Sequence, residues 1–257
     1  MRKIILTFYG SGKPLIIDKV TPNEFHLRNL EELKDLPIRR GNRTYRLSRF
    51  FKVEEEGQAY GLSDIIIIVE GSDSRLVRLG EAMEGGSMII NGDAGMHLGA
   101  SMIGGEIKVN GNVDNWCGAE MKGGAITVNG DAESFLGSNY IGNVEGMSGG
   151  IIKVKGSVKD FAGVRLNGGE IVIEGSCGDF LGYYMKNGKI TVKGKCGVEI
   201  GSRMRGGVIN IFSKAVVGLG FIHDKTVKEL FEDKEYELSV FRGDMLEDGE
   251  GEIRIPK

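Results

Sequence analysis

Glycine recurs through the middle of this chain on a fixed beat, and that beat leaves few folds open. Blocks beginning at Gly85, Gly104, Gly123, Gly149, Gly168, Asn187 and Gly206 follow one another every 19 residues, except that the Gly123 block carries seven extra. The second residue of each block is glycine, from Gly86 to Gly207. So is the fifteenth: Gly99, Gly118, Gly137, Gly163, Gly182, Gly201 and Gly220. The eighth is glycine from Gly92 through Gly194 and becomes Ser213 in the last block. Self-similarity at so short a period marks an array in which each unit completes its core by stacking on its neighbours.

Between the glycines the pattern is strand-like. Fourth and sixth positions pair as Met88/Ile90, Ile107/Val109, Ile126/Val128, Ile152/Val154, Ile171/Ile173, Ile190/Val192 and Ile209/Ile211. Alternation of period two, rich in branched side chains, reads as a strand with one buried face. Glycine at three places per block supplies corners, where φ turns positive or a side chain would collide. Three short sides and three corners describe one coil of a solenoid, its strands stacked about 4.8 Å apart. Parallel crossovers are overwhelmingly right-handed, so the expected fold is all-β, a right-handed, three-sided parallel β-helix of seven or more coils. A leucine-rich repeat has a similar period, but its Leu-rich strand motif is absent.

Other columns point inward as well. Position ten runs Ala94, Val113, Ala132, Val158, Cys177, Cys196, Ala215, and position fourteen runs Leu98, Cys117, Leu136, Ala162, Leu181, Ile200, Leu219. Two residues before each next block stand Met83, Met102, Met121, Met147, Leu166, Met185 and Met204. Thioethers suit Cu(I), but an unbranched, adaptable side chain filling a narrow interior is the better account of this column. Cys177 and Cys196 share a phase on adjacent coils, where a disulfide or a metal is conceivable; the small residues at the same phase elsewhere favour plain packing.

The repeat sets the expected boundaries. Residues 66–84 form an imperfect extra coil, with Gly80 and Met83 in phase and Gly71 displaced, so the β-helix is assigned to 66–220. Residues 1–65 read as an α+β capping and docking segment. There "TPNE" offers Thr21 as N-cap, Pro22 at the first helical position and Glu24 as capping-box partner. "NLEELKDLP" is a short helix, and "TYRLSRFFKVE" alternates like a strand. Residues 221–257 supply capping strands, "KEYELSVFRGD" and "GEIRI", joined by an acidic turn.

Composition narrows the function classes. Glycine makes up 42 of 257 residues, about 16% against a usual value of about 7%, yet 40% hydrophobic residues and no three-residue period exclude collagen and simple disorder. A net charge of −3 gives no electrostatic case for nucleic acid or anionic membrane. Three cysteines make no disulfide framework, and the longest apolar run, "DIIIIVEG", is too short to span a bilayer. With no signal-peptide core after "MRKIIL", a cytoplasmic location is expected.

No catalytic constellation stands out. His26, His97 and His223 fall on no common column, and no CxxC supports iron–sulfur ligation. The glycine runs lack the strand–turn–helix context and GK[ST] of a phosphate loop. Position nine drifts through Asp93, Asn112, Asp131, Ser157, Ser176, Lys195 and Lys214, and lysine there argues against a calcium ladder. The one break in the beat, "GSNYIGNVEGMSGG" at 137–150, adds Asn139, Tyr140, Asn143 and Glu145. Solenoids carry specificity on such loops, so these four are the candidate partner-docking residues.

The repeated "GGxIxVxGDxxxxxGxxM" with its insertion ending "GMSGG" resembles the C subunit of formylmethanofuran dehydrogenase. "GNRTYRLSRFFKV", "RLGEAMEGG" and "GLGFI" resemble that family's entry to and exit from the coils. After Tyr140 the family commonly has Arg-Gly, whereas Ile141-Gly142 stands here. The resemblance implies a noncatalytic scaffold without a cofactor of its own. Its partners would be a bis-pterin protein holding tungsten or molybdenum with iron–sulfur clusters, and a metallohydrolase-type protein with a dinuclear metal site. Those partners reduce CO2 with ferredoxin electrons and fix it as formylmethanofuran in methanogenesis, with methanofuran bordering the scaffold. The C-terminal domain of the glutamate synthase large subunit shares the glycine repeat, and a stand-alone spacer of that kind is the alternative. An independent β-helical enzyme would need convergent acid and base groups that the repeat does not display. An inward methionine column makes one expectation independent of family: Met121→Ala should cost about 2–5 kcal/mol in urea denaturation, and no loss would contradict it.

Overall fold

Each of the seven apolar pairs forms a short strand lying directly on its counterpart in the next repeat. The computed structural model describes residues 1–10, 12–231 and 233–257. The chain opens with β1 (Arg2–Phe8), β2 (Leu15–Ile16), α1 (Pro22–Phe25), α2 (Leu30–Lys34), β3 (Pro37–Arg40), β4 (Arg43–Arg46), β5 (Phe51–Gly57), β6 (Ile65–Ser72) and β7 (Leu76–Val77). The repeats give β8 (Ser87–Gly92), β9 (Glu106–Val109), β10 (Ala125–Val128), β11 (Ile151–Val154), β12 (Asn167–Ile173), β13 (Asn187–Val192) and β14 (Val208–Ile211). The end is β15 (Ile222–Phe231), β16 (Lys234–Gly243) and β17 (Gly251–Pro256). One 13-stranded mixed sheet runs β15-β16-β17-β14-β13-β12-β11-β10-β9-β8-β6-β1-β5, and a second runs β4-β3-β2-β7.

From β8 to β14 every neighbour is parallel and paired at the repeat distance. Met88 faces Ile107, Ile107 faces Ile126, Ile126 faces Ile152, and so on to Ile190 and Ile209. All of these are buried, as is the whole methionine column with Leu166. Position ten makes a second parallel line, Ala94 to Val113 to Ala132 to Val158 to Cys177 to Cys196. The three cysteines are free.

The third line is built from backbone in an unusual conformation. Positions thirteen, fifteen and seventeen all have positive φ: Trp116 60°, Gly118 63° and Glu120 55° in one repeat. The alternation sends successive N–H groups in opposite directions along the stack. Trp116 and Glu120 donate forward to Ser134 and Ser138 carbonyls at 3.1 and 2.9 Å, while Gly118 donates back to Leu98 at 2.8 Å. Positive φ alone therefore does not select glycine, since its two flanking residues share it. What sets Gly118 apart is direction: a Cβ there would lie 2.4 Å from Ile152 Cδ1, inside the stack. At position eight the reason is close approach, for a Cβ on Gly111 would sit 2.4 Å from the Gly92 carbonyl oxygen. Ser213 takes that place in the last repeat and its hydroxyl donates to Gly194 O at 2.7 Å.

Polar columns stack too. Asn129 donates to Asn110, Asn110 to Asn91, and Asn91 to Glu70, each at 2.7 Å. The drift at position nine follows from a second ladder. Asp93, Asn112, Asp131, Ser157 and Ser176 each accept the backbone N–H of the next member at 2.7–3.2 Å. The column needs short acceptors, and Lys195 ends it by receiving without passing on.

The ends differ from the sequence reading in four ways. Gly220 is not a corner: its φ is not positive and a Cβ on it would meet the Asp244 carboxylate. Leu219, expected inside, is fully exposed. No further repeat accepts the forward N–H groups there; instead β17 pairs with β14, and Ile253 faces Ile209. "TYRLSRFFKVE" is two strands broken by a 3-10 turn at Leu47–Arg49, which buries Leu47 and Phe50 together. Thr21 does cap α1, but Glu24 is drawn to Lys19 and Arg28, and the reciprocal box forms instead between Asn29 and Glu32. Strand β6 pairs with β8 at 21 residues, and a bulge at Glu70/Ser72 around Gly71 brings the offset to 20 at Ser72–Gly92. Gly118→Ala is expected to lower the unfolding free energy by about 2 kcal/mol. Gly218→Ala, without positive φ and with open space around it, should change it by less than about 0.5 kcal/mol; equal effects in denaturant titrations would contradict the inward corner.

Candidate functional site

The insertion leaves the stack at Gly137 and returns at Met147, whose N–H donates to Gly137 O at 3.0 Å. Closing the base in this way lets the parallel register pass from Ile126 to Ile152 undisturbed. Asn139 shapes the loop from within, its amide donating to the Tyr140 and Asn143 carbonyls at 2.8 and 2.7 Å. One carboxylate of the preceding repeat anchors it: Glu120 accepts from the Tyr140 backbone at 3.0 Å and from the Asn143 amide at 2.5 Å. Glu145 lies 3.6 Å from Lys186 Nζ. All four sequence candidates thus make contacts that hold the loop, and among its exposed residues stand two apolar ones, Ile141 at 93% and Val144 at 64% exposure.

Tyr140 reaches back two repeats, where its hydroxyl is 3.0 Å from His97 Nδ1. His97 is the first ring of an outer ladder that the sequence reading missed. His97, Trp116, Phe135, Phe161 and Phe180 occupy position thirteen of five successive repeats, their centroids 4.9–5.4 Å apart and their planes within 20°. Each ring sits on a residue of positive φ. Stacked pairs contribute about 0.5–1.5 kcal/mol, comparable to the roughly 1–2 kcal/mol that left-handed backbone costs a non-glycine residue. The signal was present as an aromatic run at one phase, but it stands next to the inward fourteenth position and is easily taken for interior. The Trp116 indole N–H is buried without a hydrogen-bond partner.

Electrostatics keep this corner neutral. Burial first, and then the Arg78 charge, hold His97 below its ordinary value, against a smaller pull from Asp114. Burial pushes the Tyr140 phenol up to about 12, with Glu81 and Glu120 reinforcing it and Arg78 opposing. A neutral imidazole and a protonated phenol make a stable hydrogen-bonded pair rather than a proton-transfer device. Burial likewise pushes the Cys117 and Cys196 thiols up to about 12 and Cys177 upward, so none is a thiolate nucleophile at neutral pH. Among the described residues no group of three or more His, Cys, Asp or Glu is placed to hold a metal. No helix among them is long and apolar enough to cross a membrane. His26 and His223 lie apart from this site; His223 packs edge-on to Phe241. The arrangement is suited to recognition: a rigid ladder and a braced loop with exposed apolar residues.

The family model for the GXGXG motif matches residues 87–233. The chain is 39% identical over 80 residues to the C subunit of molybdenum-containing formylmethanofuran dehydrogenase 1 from Methanosarcina barkeri, covering 31% of this chain and 26% of that protein. It is 35% identical over 99 residues to the C subunit of tungsten-containing formylmethanofuran dehydrogenase 2 from Methanococcus maripaludis, covering 38% and 35%. The matched stretches thus span about a quarter to a third of these relatives. A chain in the crystal structure of the formyltransferase/hydrolase complex (FhcABCD) from Methylorubrum extorquens with methylofuran superposes with a TM-score of 0.88 at 26% identity. That likeness covers 98% of this chain and 99% of that one.

The depressed His97 predicts a pH effect. The folded state disfavours protonation relative to the unfolded chain, so stability is full above the ordinary value of 6.5 and is lost as pH falls toward the folded value. Thermal midpoints measured from about pH 7 down to about pH 5 should fall more steeply for the wild type than for His97→Phe, which keeps a ring in the ladder. Parallel curves would remove His97 as the cause.

Proposed function

The chain belongs to the GXGXG-motif family, and from that premise we propose that it is a noncatalytic scaffold subunit of a formylmethanofuran dehydrogenase. Residues 66–220 wind as a right-handed, three-sided parallel β-helix, residues 1–65 and 221–257 cap its ends, and the Asn139–Glu145 loop docks a partner subunit. The motif alone is equally at home in a glutamate synthase spacer. One observation carries the reading further, the likeness over 98% of the chain to a component of a multi-subunit formyl-transferring assembly. The shorter matches to the C subunits of molybdenum and tungsten enzymes support it. In support of the winding, the parallel pairings recur at the repeat distance on two separate lines. β1 and β5 lie at one end of the large sheet and β15–β17 at the other, as caps require.

In this role the chain contributes rigidity rather than chemistry. Partner subunits would carry the bis-pterin metal centre, the iron–sulfur clusters and the dinuclear site, with the furan cofactor at a border, in the cytoplasm. A second reading is favoured by the same whole-chain likeness: the assembly transfers and hydrolyses formyl groups, as the Methylorubrum complex is named for, without reducing CO2.

Purification from the native source under gentle conditions should bring down a multi-subunit assembly. Molybdenum or tungsten with iron in it supports the dehydrogenase, and their absence from an intact assembly supports the second reading. A solitary chain would sink both. Ile141→Asp, at an exposed position of the loop, should lower recovered assembly about tenfold while leaving the thermal midpoint unchanged; full recovery would remove the loop from the interface.

A further inference from the structure

Backbone hydrogen bonds join successive repeats on three lines, and each line has to end at both faces of the stack. At the C-terminal face the chain itself closes two of them. On the strand line β17 pairs with β14, Ile253 facing Ile209. At position seventeen the Arg203 N–H donates to Asp244 Oδ2 at 2.9 Å, where earlier repeats use a carbonyl. The middle line, positions ten to fourteen, is left open.

One repeat earlier that line is complete. Cys177 and Phe180 donate forward to the Lys195 and Val198 carbonyls at 2.8 and 3.0 Å, and Gly197 and Gly201 donate back to Cys177 and Leu181 at 3.1 and 2.7 Å. At the next step all four equivalents are missing: among the described residues nothing bonds the N–H groups of Cys196 and Glu199 or the carbonyls of Cys196 and Ile200. The rung itself is properly formed, for Glu199 has φ 59° and Gly201 64° like the corners before them. Ala215 and Leu219 have the phase to continue the line, but that segment is committed elsewhere. Ala215 and Val217 pack against the core without bridging to Cys196, and Gly220 O accepts the Met245 N–H at 2.9 Å. Val198 on the open rung is exposed, as are Val216 and Leu219 beyond it.

The opposite face shows what closes this line. The Leu76 carbonyl accepts from Gly95 at 3.0 Å just as Ala94 accepts from Asp114, so β7 lies on the same line. It is covered by β2, a short strand from outside the repeats that runs parallel to it, with Leu15 and Ile17 donating to the Arg75 and Val77 carbonyls at 2.8 and 3.0 Å. We propose that the rung Cys196–Ile200 is closed by a short extended segment of a different subunit, laid on it in parallel as β2 is on β7. The inference rests on the reading of this chain as a subunit of an assembly. Donors and acceptors along one backbone edge are matched by another extended backbone, and an open edge flanked by exposed apolar side chains is one that proteins cover. The incoming strand places an apolar residue over Val198 and an acidic one beside Lys195 and Lys214, both exposed and without a carboxylate partner among the described residues.

Hydrogen exchange resolved to single amides, on the full chain alone and on the assembly purified from the native source, tests this edge. The Cys196 and Glu199 amides should exchange at least about a hundredfold more slowly in the assembly than in the free chain, while those of Cys177 and Phe180 are protected in both. Protection in the free chain at every dilution would mean that the chain's own Lys214–Gly220 segment closes the rung. Protection lost on dilution would mean that a second copy does. Either result overturns the proposal. Fast exchange of both amides in an intact assembly overturns it too and leaves the subunit reading standing, whereas recovery of no assembly sinks that reading and the proposal together. Val198→Glu should lower recovered assembly about tenfold with the thermal midpoint of the free chain unchanged, and Leu27→Glu, also at an exposed position, should lower it less than about twofold. Equal recovery of the two variants would overturn the proposal.

Discussion

The structure depends on hydrogen bonds that run between repeats rather than within them. At six of the seven corners between Arg78 and Arg203 three alternate residues take positive φ, the insertion repeat being the exception, and as at Trp116–Glu120 their N–H groups point forward, backward and forward again along the stack. The strand pairs and the position-ten bridges obey the same rule of partnership one repeat away. Apart from turn bonds at its corner, such as Ala119 N–H to Trp116 O and Met121 N–H to Gly118 O, a repeat finds its backbone partners in its neighbours, and cooperativity is imposed by geometry. Left-handed backbone at thirteen non-glycine corner residues is tolerated because twelve of them donate their N–H to a neighbouring segment and, in five repeats, one is roofed by a stacked ring.

Much of this was legible in the amino-acid sequence because the informative contacts recur at one spacing. The inward columns at positions four, six and fourteen and the methionine column follow from apolar alternation, and they are buried wherever a following repeat covers them. Leu219 shows the condition: it has the right phase and residue type but no repeat beyond it, so it lies exposed. Phase predicts burial only inside a stack. The break at Leu47–Arg49 escaped for a different reason, since two adjacent segments there share one face by turning rather than by alternation.

The candidate site was only half legible. The insertion announced itself by breaking the period. That Tyr140 would fold back on His97, 43 residues earlier, has no local signature. Nor does the role of Glu120, which looks like any exposed charge at its position until the loop is in place. The position-nine ladder was visible as a drift among Asp, Asn and Ser, yet its meaning lay in reach: a carboxylate, amide or hydroxyl close to the backbone can bridge one repeat, and lysine can only terminate the series.

The closed base of the insertion separates two tasks that most folds entangle. Because Gly137 and Met147 meet before the strands resume, any length or composition can hang between them without moving a rung above or below. Variation can thus accumulate at that one seam while the architecture stays constant. Divergent chains are then free to inherit the same spine and differ only in what it wears on its flank.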